Sequence, residues 1–162
     1  MKKILEFFRL IIKYLLIILS AAMCFVVLWQ VISRFIVRNP SRWSEEVARY
    51  LMIWITFLAS TIGITNKTHL GLTMAVNSIK NSKVRLYFRI FQYLCIIAFS
   101  LVLFLYGLSY AIEGNNQTGM SIMIKMSLVY SVIPISGFFI IVNSIENIVD
   151  EIKSFKRGEE NS

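Results

Sequence analysis

Four stretches of this sequence carry no charged side chain: Tyr14–Ser33, Tyr50–Asn66, Ile90–Ile112 and Met126–Ile145. A helix needs about 20 mostly apolar residues to cross roughly 30 Å of hydrocarbon. The second stretch is the shortest, but Arg49 and Lys67 at its ends have stems long enough to snorkel. A transmembrane barrel would instead show segments of about ten residues with alternating polarity, and this chain has none. Helical spans also satisfy every backbone N–H and C=O internally, as lipid requires. A soluble domain would carry charge on about a quarter of its residues; here 16% are charged and 57% are apolar. The reading is an all-α integral membrane protein with four transmembrane helices, forming one domain over 1–162. The spans fall at about 12–36, 47–66, 88–112 and 126–147.

The charges between the spans set the orientation. With the N-terminus inside, the inner segments hold Lys2, Lys3, Arg9, Lys13, Lys67, Lys80, Lys83, Arg85, Arg89, Lys153, Lys156 and Arg157. Those are 12 of the 17 basic residues, leaving Arg34, Arg38, Arg42, Arg49 and Lys125 outside. The positive-inside rule therefore puts both termini in the cytoplasm. The net charge of +8 follows from this bias and from anionic headgroups, with no need for nucleic acid. Amphipathic interfacial segments are expected at the N-terminus, before helix 2 and at the C-terminus. The last has Ile145, Ile148, Val149, Ile152 and Phe155 opposite Asp150, Lys153 and Lys156, with an extension over 148–157 and an unstructured tail over 158–162. Lys2 and Lys3 before an apolar run resemble a signal peptide, but the run is too long and no small-residue cleavage site follows. Cys24 and Cys95 lie mid-span and read as small apolar residues.

The stretch from Gln30 to His69 is the least ordinary. Gln30, Arg34 and Arg38 recur at i, i+4 and i+8, a polar stripe at the end of the first span. Asn39-Pro40 reads as a helix start, with asparagine as cap and proline in the first turn. Arg42, Glu45, Glu46 and Arg49 follow at ion-pair spacings. Trp43, Val47, Tyr50 and Trp54 form an apolar and aromatic stripe suited to the membrane interface. One reading is ordinary interface decoration. The sharper one pairs Arg34 with Glu46, or with Glu45, locking the first two helices and presenting a charged surface to a partner. Further on, Thr56, Ala59, Ser60 and Gly63 make a small-residue face for close helix contact. Pro134, with Gly137, is expected to kink or loosen the fourth helix. The loop Glu113–Lys125 reads as a turn followed by apolar residues that dip into the interface.

No Asp, Glu, Lys, Arg or His occupies the middle of any span. Transport through this chain alone would need such groups, or broken helices, near the bilayer centre. Haem ligation in a membrane anchor would use two histidines, and His69 is the only one. The alternatives kept open are the anchor subunit of a respiratory-type enzyme and a small independent channel or exporter.

The blocks Gln30-Val31-Ile32-Ser33-Arg34-Phe35, Trp43-Ser44-Glu45-Glu46-Val47-Ala48-Arg49-Tyr50, Trp54 and His69-Leu70-Gly71 resemble the DctQ-type small membrane subunit of TRAP transporters. Tyr130 with Ile133-Pro134 fits the same family, and the resemblance spans nearly the whole chain. Ser60-Thr61 and the acid-free Gly71-Leu72-Thr73 depart from it. The resemblance implies a non-catalytic scaffold subunit, paired as a heterodimer with a large TRAP membrane subunit in the bacterial inner membrane. It implies no cofactor or metal on this chain, with sodium and substrate handled by the large subunit. A periplasmic substrate-binding protein would deliver an organic acid, and the surface around Arg38–Glu46 is where it could touch this chain.

Overall fold

The computed structural model describes residues 2–39, 41–65 and 82–160. Pro40 lies outside the described residues, as do Lys67, His69, Leu70, Gly71, Thr73 and Lys80. The described chain forms α1 (Lys2–Phe35), α2 (Arg42–Thr65), α3 (Ser82–Glu113), the short α4 (Met126–Tyr130) and α5 (Val132–Glu160). Four segments of helix, Leu5–Phe35, Arg42–Ile64, Val84–Asn116 and Met126–Lys153, are long and apolar enough to cross a membrane. At 1.5 Å per residue the 34 residues of α1 rise about 51 Å, well beyond the hydrocarbon thickness. The amphipathic ends are thus continuations of α1 and α5 rather than separate helices. Residues 158–160, expected as unstructured tail, still belong to α5.

Asn39 does not open α2, which begins only at Arg42. Asn39 instead closes α1: its N–H donates to the Ser33 carbonyl at 3.1 Å, beyond a turn made by Arg38 at φ 53°. That left-handed conformation costs a residue with a Cβ about 1 kcal/mol. Ser41 takes the place before α2, with its hydroxyl on that of Ser44 and its carbonyl accepting from Ser44 Oγ at 2.8 Å.

Proline placement explains the break between α4 and α5. An N–H at position 134 would bond the carbonyl of Tyr130, and Pro134 has none. The helix is interrupted at Ser131, whose hydroxyl donates back to Leu128 O at 2.7 Å. Pro134 itself sits in the first turn of α5, where a missing N–H costs little.

The helices contact one another in the order α1, α2, α5, α3. Ile12, Leu58 and Val132 anchor an apolar cluster that includes Leu16, Trp54, Phe57 and Phe139. Lipid tails are as apolar as leucine, so helix association here needs close backbone approach or polar contacts. Both are present. Between α3 and α5, a Cβ on Gly137 would lie 3.0 Å from Phe104 N and 3.1 Å from Ser100 O. A Cβ on Gly107 would lie 2.7 Å from Ile133 Cγ2 and 3.0 Å from Pro134 N.

The polar contacts gather at the end of the bundle that holds the termini, along one stripe of α5. Arg9 of α1 donates to Asn143 Oδ1 at 2.7 and 3.1 Å and also pairs with Glu146. Asn147 Nδ2 donates to Ile64 O of α2 at 3.1 Å. Arg89 of α3 meets Glu151 at 2.6 Å. Asn143, Asn147 and Glu151 are buried at i, i+4 and i+8, while Ile145, Val149 and Ile152 face outward. In water the pattern would be reversed. A hydrocarbon surround lets apolar side chains face out and polar ones face each other.

Two outcomes test this account. Gly137→Val should force α3 from α5 and lower stability by about 1–3 kcal/mol, whereas Gly63→Ala, with nothing within 4 Å of its Cβ, should be neutral or better in detergent melts. Glu146→Leu should cost about 1–3 kcal/mol by leaving Arg9 half paired, and adding Arg9→Met should recover most of that loss; a double variant that melts no higher than the single one refutes the pairing.

Candidate functional site

The opposite end of the bundle carries the polar residues of the Gln30–Trp54 stretch. Glu46, one turn into α2, is not paired with Arg34. Its Oε1 accepts the N–H of Met120 at 2.9 Å, and its Oε2 accepts those of Ser121 at 2.7 Å and Ile122 at 3.2 Å. The Tyr50 hydroxyl donates to Oε1 as well. One carboxylate thus fills its acceptor sites with three successive backbone N–H groups and a phenol, in the manner of an anion held in a nest.

The loop that wraps it follows α3 through a 3-10 turn at Gly114–Asn116. A single antiparallel bridge joins Thr118 to Lys125. Gly119 N–H donates to Ile124 O at 3.0 Å and Met126 N–H to Gln117 O at 2.9 Å. Any Cβ on Gly119 would collide with the Glu46 carboxylate, the Ile122 carbonyl oxygen and the Tyr50 hydroxyl. Glycine is therefore required here for close approach. The loop tip displays Met120 and Met123, 102% and 93% exposed. Together these contacts tie α2 to the α3–α4 connection, beside the direct contact of α2 with α4.

The remaining residues of the stretch divide by direction. Glu45 makes a loose, exposed pair with Arg49 at 3.9 Å. Gln30, Arg34, Ser41 and Glu45 line a small recess at the α1–α2 turn, so Arg34 and Glu45 share one recess while Glu46 is held by the loop. Arg42 and Trp43 are exposed, Arg38 forms the turn, and Trp54 packs into the apolar cluster. Among the described residues nothing packs against the small-residue face of α2. Thr56, Ala59 and Ser60 are exposed, their hydroxyls turned back onto Met52 O and Thr56 O at 2.8 Å, and Gly63 opens onto free space. Among the described residues no group of histidine, cysteine and carboxylate side chains could hold a metal ion.

Residues 23–154 match the family of tripartite ATP-independent periplasmic transporters, DctQ component. The chain belongs to that family. DctQ components are non-catalytic transporter subunits, and this one is a small permease subunit of the bacterial inner membrane. It is 24% identical over 135 residues to the sialic acid TRAP transporter small permease protein SiaQ of Vibrio cholerae, covering 83% of this chain and 78% of that protein. It is 23% identical over 159 residues to a putative TRAP transporter small permease protein of Haemophilus influenzae, covering 98% of each.

Sequence reasoning found the Trp-Ser-Glu-Glu block and offered Arg34 either Glu46 or Glu45; Glu46 is taken up elsewhere, and Arg34 shares a recess with Glu45. Besides the Tyr50 hydroxyl, the partners of Glu46 are backbone N–H groups, which no side-chain pattern announces. Gly119 beside polar Gln117 and Thr118 was the available signal. Glu46→Gln turns amide donors toward backbone donors, and Gly119→Ala displaces the carboxylate. In hydrogen-exchange measurements each should speed exchange of the amides of residues 120–122 several-fold, with Tyr50→Phe giving a smaller rise; unchanged exchange in Glu46→Gln refutes the assignment.

Proposed function

We propose that this DctQ component stands beside a large transport subunit as the fixed part of a heterodimeric, sodium-coupled carrier. The substrate would be an organic acid handed over by a periplasmic binding protein. Both termini lie in the cytoplasm, as the 12-to-5 split of basic residues favours. One observation carries the reading: no Asp, Glu, Lys, Arg or His stands at mid-depth in any span. A carrier needs groups there to exchange an ion's hydration shell or meet a carboxylate. Sodium and substrate therefore belong to another chain.

The face of α2 that no described residue covers supports the pairing. Outward positions on α1 and α3 are filled by bulky residues such as Phe25, Leu28, Phe91 and Phe99, which suit lipid. Thr56, Ala59, Ser60 and Gly63 present almost no bulk, so a second helix can come close there. The relative named for sialic acid, itself a carboxylate, favours an organic acid as substrate. The surface around Arg38, Arg42 and the exposed methionines is where a binding protein could touch this subunit.

Reconstituted alone in vesicles, the chain should move neither organic acid nor sodium, and flux from it alone would overturn the reading. With a large subunit and binding protein added, sodium-driven uptake should appear. Ala59→Leu and Gly63→Leu should leave the chain's own melting unchanged yet reduce co-purification with the large subunit.

A further inference from the structure

The recess at the α1–α2 turn has a lining that the carrier reading leaves unused. It encloses about 120 Å³ between Gln30 and Arg34 of α1, Ser41 before α2 and Glu45 in its first turn. Arg34 stands in the last turn of α1, at the end of a membrane-spanning helix. Exposed Trp29 and Trp43 flank the turn, and indole rings settle at the headgroup level of a bilayer. The recess therefore opens where lipid headgroups lie.

Its chemistry has two signs. The Arg34 guanidinium is a planar fork suited to a phosphate, more weakly hydrated than an ammonium and always charged. Glu45, on the other wall, offers a carboxylate. Its pairing with Arg49 is exposed and 3.9 Å long, so acceptor positions remain for a second donor. Glu46 does not compete, because the loop fills it. The Gln30 amide and the Ser41 hydroxyl complete a polar lining. A simple anion would use only one wall. A group with a phosphate and a primary ammonium would use both.

We infer that this recess binds the phosphoethanolamine headgroup of a membrane lipid, phosphate on Arg34 and ammonium on Glu45. Val27 and Val31 lie three residues before Gln30 and Arg34 on the same face of α1. Both are exposed and give the acyl chains an apolar track toward the bilayer centre. The first-turn N–H groups of α2, which have no partners inside the helix, add to the attraction for phosphate.

Native mass spectrometry of the intact chain, released from mild detergent with phosphatidylethanolamine, phosphatidylcholine or phosphatidylglycerol, tests the site. Wild type should retain one phosphatidylethanolamine about tenfold more strongly than either other lipid, since phosphatidylcholine has no ammonium N–H and phosphatidylglycerol no cation. Glu45→Gln should abolish that preference while keeping phosphatidylglycerol. Arg34→Gln should weaken all three, and Arg34→Lys should restore part of the binding, with melting temperatures confirming that each variant is folded. Equal retention of the three lipids by wild type overturns the inference, and so does full retention by Arg34→Gln. Displacement by soluble glycerophosphoethanolamine at comparable concentration assigns the site to a free zwitterion and overturns the lipid. Loss of the lipid on adding a large subunit gives the recess to the protein interface instead, with the same consequence.

Discussion

Helices surrounded by hydrocarbon gain nothing by burying leucine against leucine, and this structure depends on what replaces that gain. The substitute is α5. One stripe of it, Asn143, Glu146, Asn147 and Glu151, supplies partners to α1 through Arg9, to α2 through the Ile64 carbonyl and to α3 through Arg89. Further along the same helix, Gly137 lets α3 approach to backbone distance. Polar contacts act at one end and a close helix crossing in the middle, both on α5. Each polar group would be costly to leave unpaired at that depth, so the set fixes which helices meet and in what register.

The opposite end is held differently. There α2 and the α3–α4 loop meet through one carboxylate and a run of backbone N–H groups. A backbone-bound acid orders the loop without demanding a second charged side chain. That leaves Arg34, Arg38, Arg42 and Arg49 to face outward. The family's Trp-Ser-Glu-Glu block is thus divided in role: Ser44 is buried at the helix start, Glu46 holds the loop, and Trp43 and Glu45 point toward the surroundings.

Much of the architecture was legible in the sequence because span length and charge spacing are direct consequences of bilayer thickness. Four uncharged runs became four long helices, and Pro134 disrupted the last of them, with the break falling one residue after the carbonyl it leaves unbonded. Side-chain partners were less legible. The spacing of Arg34 and Glu46 suits a cross-helix pair equally well on paper, and only the loop's return across α2 decides otherwise. The stripe on α5 could have been seen: Asn143, Asn147 and Glu151 recur at i, i+4 and i+8 in an apolar helix. The sequence reading of that segment took Asp150, Lys153 and Lys156 as its polar side and passed over this inward stripe. At the end of α1, too, Phe7 and Leu10 face outward while Arg9 reaches inward to Asn143.

Because α1 and α3 reach the rest of the protein mainly through α2 and α5, the chain's topology imposes a schedule on its biogenesis. Synthesis delivers α5 after α1, α2 and α3. Until it enters the bilayer, Arg9, Arg89 and the carbonyl at the end of α2 wait at the membrane boundary without the groups that complete them. A nascent chain stalled before position 143 would be an inserted but unfinished set of helices, carrying unmet polarity of the kind that membrane quality control can detect. For this subunit the bundle closes only once α5 has been made and inserted.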